Sequence, residues 1–565
     1  MGRDQLPALR GAPSSSPRPD HVIPSLVAAQ SPAVGAQRSA DVVIVGAGIV
    51  GALMARRLAG AGASVLVLEA GPRLALWQVV ERFRDTPYKD DNMAPYPPTA
   101  HAPHPQSSPD NDYLQQKGPA PYDAGYIRAV GGTTWHWTGQ AWRFLPNDFK
   151  VRSLYGVGVD WPITYDTLEP WYYEAEVEMG VAGPDDGSLG SPRSKPYPMA
   201  AQPLSYYDRR IKEILAEDGL HLVSEPQARN TRPYDGRPTC CGNNNCSPIC
   251  PIDAQFTGAA AVRKAEAAGA TVLANAVVYY VEADARGVIQ AVHYKEPNGQ
   301  SHRVTGKYFV LAANGIETPK LMLISTSDRF PQGVGNSSGL VGCNLCDHVG
   351  TSAYFYGKEP LWPGRGPMRL SCLNDLRDGP FRAHHAAIKL NFSNASPYRA
   401  VARELIAEGY TGDALDRQIR DRVSRRVTMA TFLEQMPAKG NCVVPSATER
   451  DALGIPKPEI HYAIDDYVRR AAAVAGQYFA RVGRLMGATE VHYGNEFEGN
   501  NHMTGTLLMG NDPATSVVDA NSRAHDHPNL FLASTGVMPT TATVNSTLTA
   551  VALALRAAAQ IQSEL

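Results

Sequence analysis

The run at residues 41–45, Asp-Val-Val-Ile-Val, is apolar at consecutive positions and predicts a buried strand. Gly46, Gly48 and Gly51 follow it, then an Ala-rich helix to about Gly60. A second apolar run over 64–68 predicts another strand, which ends at Glu69. Short helices are predicted over 207–216 and 259–269, the latter followed by strands at 271–275 and 277–281. Between Thr351 and His492 apolar alternation returns, as at 351–356 and 387–392, and fits the strands of an antiparallel sheet. Asp465 and Asp466 open an Ala- and Arg-rich run to Met486 that reads as a helix behind that sheet, its first-turn carboxylates suiting the helix dipole. A strand over 530–533 precedes an Ala-rich apolar run from Asn545 onward, which predicts a final helix. Residues 75–125 and 150–235, rich in Pro, Tyr and Asp, lack periodicity and read as long excursions.

Composition bounds the picture. A length of 565 residues suggests ~3–4 domain-sized units, interleaved if one large cofactor joins them. Hydrophobic content of 43% and charged content of 19% belong to a folded chain with a substantial core. A net charge of -2 gives no electrostatic case for nucleic acid or an acidic membrane surface. No apolar stretch approaches the ~20 residues of a membrane-spanning helix. Residues 1–38, rich in Pro, Ser, Ala and Arg, have neither an apolar signal core nor an Arg-Arg pair, and read as a disordered tail. This argues against independent export, though not against export beside a partner that carries a signal.

Candidate chemistry lies at four places. Strand, glycines, helix, strand and acid stand in dinucleotide-binding register, with Glu69 about 20 residues beyond the glycines. Gly46 permits the tight turn, Gly48 lets backbone N–H groups approach a pyrophosphate, Gly51 lets helix and strand pack, and Glu69 suits the adenosine ribose; NAD and FAD both remain open. In Gly131-Gly132-Thr133-Thr134-Trp135-His136-Trp137, glycines and hydroxyls can follow a flat ring while the aromatics exclude solvent. His502 sits in a Gly- and Asn-rich turn, and Asn545 opens the last helix; a base near neutral pH and a helix-terminal amide can together hold one alcohol group. Cys240, Cys241, Cys246 and Cys250, four of the eight cysteines, lie in a loop with Gly and Asn between them that could wrap a compact iron–sulfur cluster; disulfides are the alternative.

In this order these segments, with Val310-Leu-Ala-Ala-Asn-Gly-Ile-Glu-Thr-Pro319, resemble the glucose-methanol-choline (GMC) oxidoreductases from Asp41 to the C-terminus. The Arg229–Pro251 segment with its four cysteines is similar to the catalytic subunits of bacterial membrane-associated sugar dehydrogenases acting on glucose, gluconate, fructose or sorbitol. The resemblance implies an α/β (α+β) fold: a Rossmann-like FAD-binding domain over 39–75, 126–150, 251–350 and 505–565, interleaved with a substrate domain over 76–125, 151–235 and 351–504. The substrate domain is built on an antiparallel sheet roofed by helices, and an iron–sulfur loop covers 236–251.

The same resemblance implies FAD and a [3Fe-4S] cluster on Cys241, Cys246 and Cys250, with Cys240 the fourth candidate. Val278 and Ala312 fall near the adenine, and Ser534, Thr535 and Thr547 near the flavin. His502 is the base for hydride transfer from a sugar carbon, and Asn545 holds the same oxygen. His136 matches a histidine that bonds covalently to flavin in pyranose oxidases, which leaves covalent and dissociable FAD both open. Electrons are expected to pass to a cytochrome c subunit, and a small chaperone-like subunit to bring the chain to the periplasmic face of the inner membrane; a cytoplasmic location is the alternative.

Departures from the resembling sequences bear on the substrate. Gly499 stands where a Pro is usual and predicts a more mobile loop; Glu498 replaces a small or neutral residue; Thr138-Gly139-Gln140 replaces Ala-Ala-Ser. The acid favours a neutral, glucose-like sugar over gluconate, with fructose, sorbitol and glycosides as alternatives. Cys343 and Cys346, like Cys372 and Cys442, read as ordinary thiols. Two other readings stand beside the dehydrogenase: a pyranose- or glycoside-type oxidase using oxygen, and a non-catalytic flavin electron-transfer subunit.

Overall fold

The computed structural model describes residues 38–87, 89, 91–106 and 112–565. The expected tail lies outside these residues, except that Arg38 already belongs to the first strand, Arg38–Val45. Val42, Val43 and Ile44 are fully buried there, each contributing about 1.5–3 kcal/mol by leaving water. The strand sits inside a seven-stranded sheet. Val65–Leu68 pairs with it on one side and Ser301–Leu311 on the other, both parallel. Thr271–Leu273 extends the parallel part beyond Val65–Leu68, and Leu530–Leu532 joins Ser301–Leu311. The far edge is antiparallel, through Ile289–Lys295 and Val277–Ala283. Helix Ile49–Gly60 packs against Gly258–Ala267 and against the last helix, Thr547–Glu564.

The second sheet has six antiparallel strands in the order His492–Tyr493, Ser352–Tyr356, Arg426–Leu433, Ile388–Ser393, Arg369–Leu373 and Leu222–Ser224. Helix Asp466–Leu485 packs on it, capped by Asp465, whose side chain accepts the Val468 N–H. Alternation along 351–356 and 387–392 therefore located the sheet correctly.

The excursions contain more helix than their composition suggested. Tyr165–Met179 is a 15-residue helix despite an internal Pro170. Its inward face carries Glu176, fully buried and held by the guanidinium groups of Arg143 and Arg193. The helix buries an apolar stripe of Tyr165, Leu168, Tyr172, Ala175 and Met179, which Pro170, the buried acids and the apolar Trp171 and Val177 blurred in the sequence. Leu76–Asp85 is likewise helical. Cys346 is buried as expected of a packing thiol, and Cys343 lies across a β-bridge from Cys442, all of them free. Among the described residues no helix is long and apolar enough to cross a membrane.

Candidate active site

The carboxyl end of Arg38–Val45 opens onto a cavity. Gly46 turns there with φ +106°, and a Cβ on it would stand 2.6 Å from the Ala312 carbonyl oxygen. Gly51 is equally constrained, since its Cβ would meet the Gly46 oxygen at 2.2 Å. Gly48 differs: nothing lies within 4 Å of where its Cβ would be, so the backbone faces open space at the start of a helix. That is the cradle a pyrophosphate fits, beside first-turn N–H groups and the positive end of the helix. Glu69 lines the same cavity, its carboxylate accepting the Ala47 and Gly71 N–H groups at 2.9 and 3.0 Å. Gly132, Thr133, Val278 and Ala312 complete the wall expected for a dinucleotide. Gly131 lies behind it, in a left-handed turn that bridges to Gly48.

Gly48, Thr133, Ala312 and Asn314 also line a second cavity, so the two share a wall. This second space collects the remaining expected residues: Thr134 and His136 from one side, Ser534, Thr535 and Thr547 from another, and His502 with Asn545 at its end. Thr134 Oγ1 accepts the Gly258 N–H at 2.7 Å, and Thr535 Oγ1 donates to the Met503 carbonyl at 2.6 Å, so both hydroxyls also tie the wall to its neighbours. His136 Nε2 lies 2.8 Å from the Gly125 carbonyl, which can only accept, so Nε2 carries the proton and Nδ1 is left as the lone pair.

Proton positions at His502 follow from the same bookkeeping. His348 Nε2 lies 2.9 Å from the Ala542 carbonyl and must donate to it. Burial pushes the His348 imidazole down to about 4, so near neutral pH its Nδ1 bears a lone pair. His502 Nδ1, 2.9 Å from that atom, is therefore the donor. His502 Nε2 remains as the lone pair, 3.5 Å from the Asn545 side-chain nitrogen. Burial, helped by His348 and Lys389, pushes the His502 pKa well below the ordinary histidine value, which keeps this lone pair free.

Neighbours fix the other two partners. Lys389 Nζ donates to Asn545 Oδ1 at 3.3 Å, which turns the amide nitrogen toward His502 and toward Gln140 Oε1 at 3.4 Å. Lys389 is itself held by Glu225, both side chains fully buried. Asp347 clamps the catalytic turn: Oδ1 accepts the His348 and His502 N–H groups, and Oδ2 those of Asn500 and Asn501. Phe432 closes the site, ring against ring with His348 and His502 at 5.6 and 5.4 Å. Asp347, His348 and His502 are also the described group whose metal-ligating atoms all lie within 4.8 Å of one another. The chain of donors accounts for their spacing without an ion.

One expectation about this turn is corrected. Gly499 does not loosen it; a Cβ there would stand 2.3 Å from the Asp123 oxygen, and the turn is pinned by Asp347. Glu498 is exposed and accepts a hydrogen bond from Ser352 Oγ outside the cavity lining, yet its charge acts on Arg369, which lines it. Sequence reasoning missed Lys389, Glu225 and the orienting role of His348. The Asp-His pair at 347–348 was the available signal.

The cysteine loop reaches the same cavity from outside. Ser247, which lines it, donates to the His136 carbonyl at 2.9 Å. Cys246 and Cys250 are buried, Cys240 is half-buried and Cys241 is exposed. Burial raises the Cys240 pKa, and the nearby Cys246 and Cys250 add to the rise, so these three thiols share one neighbourhood. Arg229 lies beside Cys240 and Arg237 beside Cys250. All four thiols are free.

The sequence profile of the family described as GMC oxidoreductase matches residues 441–554, and that described as FAD dependent oxidoreductase matches residues 41–78. The chain is 48% identical over 535 residues to the fructose dehydrogenase large subunit of Gluconobacter japonicus, covering 93% of this chain and 98% of that one. It is 30% identical over 555 residues to paromamine 6'-oxidase of Streptomyces fradiae, covering 93% and 92%. The solved pyridoxine 4-oxidase from Mesorbium loti superposes with a TM-score of 0.61 over 92% of this chain and 98% of that one, at 19% identity, a likeness of fold alone.

Proposed function

This chain belongs to the GMC oxidoreductase family of FAD-dependent enzymes, and from that premise we propose that it is a sugar dehydrogenase oxidising a ring or chain hydroxyl. The observation that carries this reading is the free lone pair on His502 Nε2, set beside the Asn545 amide in a cavity continuous with the dinucleotide cradle. FAD, when bound, supplies the hydride acceptor. His502 Nε2 takes the hydroxyl proton of the substrate as the C–H bond breaks. The Asn545 amide donates to the same oxygen and sets its direction. His348 keeps His502 in the one tautomer that can act, and Phe432 helps exclude water.

Likeness to the fructose dehydrogenase large subunit supports a ketose such as fructose as the first sugar to try. The glucose-like aldose expected from Glu498 stands beside it, because that carboxylate acts on Arg369 in the cavity wall. Cys241, Cys246 and Cys250, with Cys240 the fourth candidate, suit a three-iron cluster in number and thiol chemistry, and such a cluster would supply one-electron transfer. The reading extends to a small chaperone-like subunit and a cytochrome c subunit as partners, and to the periplasmic face of the inner membrane as the location. Flavin retained by the denatured chain would establish attachment at His136, through Nδ1; complete release ends that idea.

The test is anaerobic addition of fructose, glucose, gluconate and sorbitol to the purified holoenzyme while the flavin band is followed, with iron, acid-labile sulfide and peroxide assayed on the same sample. Bleaching by a neutral sugar, with about three irons per flavin and little peroxide in air, is the expected result. Bleaching without iron and with stoichiometric peroxide would transfer the chain to the oxidases, the class named for the Streptomyces relative. No bleaching by any sugar would overturn the sugar reading.

A further inference from the structure

Two polar atoms in the catalytic cavity are buried and have no hydrogen-bond partner among the described residues: Arg369 Nη1 and Asn391 Oδ1. They belong to adjacent strands of the six-stranded sheet, Arg369–Leu373 and Ile388–Ser393, on the wall that also carries Phe432. Asn391 is 2% exposed, too enclosed for bulk water to serve it. A buried polar group left unpaired is costly, the more so for a cation, so two of them in one cavity mark where a ligand can complete them.

The local backbone turns Arg369 this way. Arg369 pairs with Ser393, whereas Ser371 pairs with Phe392, so the register shifts between the two and Leu370 is the extra residue of a β-bulge. Bulges re-aim side chains beside binding sites. Gln227 fastens the bulge by donating to the Arg369 carbonyl. Glu225 takes Lys389, Gln140 and the Trp142 indole N–H all on Oε2; its charge, with that of Glu498, favours the Arg369 guanidinium, yet neither carboxylate makes a hydrogen bond to Nη1. Lys389 and Asn391 share one face of their strand; Asn391 lines the cavity, and Lys389 reaches its wall through the catalytic amide of Asn545.

We propose that Arg369 and Asn391 form the hydroxyl-recognition subsite of this enzyme, gripping a vicinal diol of a neutral polyhydroxylated substrate away from the carbon being oxidised. Arg369 offers only donors and Asn391 Oδ1 only accepts. A hydroxyl can satisfy either, and two adjacent hydroxyls satisfy both. A carboxylate would suit Arg369 but would set a second acceptor against Asn391 Oδ1, so an aldonate is disfavoured. The inference rests on the sugar-dehydrogenase reading and adds to it the residues that choose among sugars.

The test uses the holoenzyme under anaerobic rapid mixing, with flavin bleaching read against sugar concentration for fructose, glucose, their mono-deoxy analogues and gluconate. If wild type is bleached by none of them, the function reading fails and not the subsite. Given bleaching, Arg369→Gln and Asn391→Ala should each raise the half-saturating sugar concentration about 10–100-fold, with a far smaller change in the limiting rate. For one deoxy analogue the wild type should lose as much as the variant does, and the variant should lose little more on the same analogue. Equilibrium binding of that analogue, read as a perturbation of the oxidised flavin spectrum, should weaken in parallel. Arg369→Lys, which keeps the charge and a donor, covers the case in which Arg369→Gln purifies without flavin, and should give an intermediate shift. Half-saturation unchanged in both positions, or a loss confined to the limiting rate, would overturn the proposal, as would tighter use of gluconate than of the neutral sugars.

Discussion

His502 acts as a base because two lone-pair assignments are settled elsewhere. The Ala542 carbonyl fixes His348, and His348 fixes His502. Replacing His348 by Phe keeps the ring volume but removes the acceptor for His502 Nδ1–H, so the productive tautomer is no longer held. Flavin reduction at saturating sugar should fall roughly 100-fold, as expected when an orienting partner is lost, with KM little changed. The pH dependence follows from the direction of the shift. A histidine whose pKa is lowered stays neutral to lower pH, so the acidic limb of kcat/KM should lie below the ordinary histidine value of 6.5. A limb at or above 6.5 would remove His502 from the role of base. At this scale the sequence exposed His502 and Asn545, because a Gly/Asn turn and a helix start gave them no other employment. Lys389 was hidden by its setting. In Ile388-Lys-Leu-Asn-Phe392 the alternation reads as a strand with a solvent face, yet on that polar face Asn391 lines the cavity and Lys389 holds Asn545 in its wall. His348 and Lys389 also meet their partners 154 and 156 positions away, a distance no local pattern reports.

Two glycines of the first strand–helix unit separate packing from ligand binding. An added methyl at Gly51 would collide with the Gly46 oxygen and push helix Ile49–Gly60 off the strand beneath it. Gly51→Ala should therefore cost about 1–3 kcal/mol, lower Tm, and lose flavin as a consequence. At Gly48 the same methyl meets no protein atom, but it occupies the cradle. Gly48→Ala should lose flavin while the stripped protein melts where stripped wild type does. Flavin-to-protein ratios and melting curves of both variants, with and without added FAD, decide the matter; equal melting loss at the two positions would contradict it. This element was legible before the structure because each glycine answers a steric demand of a fixed turn. Helix Tyr165–Met179 was not, since an internal Pro170, the buried Glu176 and Glu178, and the apolar Trp171 and Val177 blurred the stripe Tyr165, Leu168, Tyr172, Ala175 and Met179 that it buries.

Across the whole molecule the two sheets divide the work: the parallel strands end at the dinucleotide cradle, and the antiparallel sheet presents Arg369, Asn391 and Phe432 to the space beside it. The cysteine loop belongs to neither sheet. It touches the catalytic cavity through Ser247, and its thiols lie behind that contact with Arg229 and Arg237 for company. None of His502, Asn545, Lys389 or Asp347 takes a hydrogen bond from a cysteine of this loop, so sugar oxidation and cluster retention should be separable by mutation. Cys246→Ala, at a buried thiol, should strip iron and acid-labile sulfide from the purified protein while fructose or the preferred sugar still bleaches the flavin anaerobically at a rate within about threefold of wild type. His502→Asn should do the reverse: full iron, intact flavin spectrum, and bleaching slowed by about 100- to 10,000-fold, the usual worth of a general base. If Cys246→Ala kept its iron, the loop would be a structural feature and the three-iron reading would fall. If it lost bleaching along with the iron, the loop would be part of the sugar site, and the division between the two sites would be wrong.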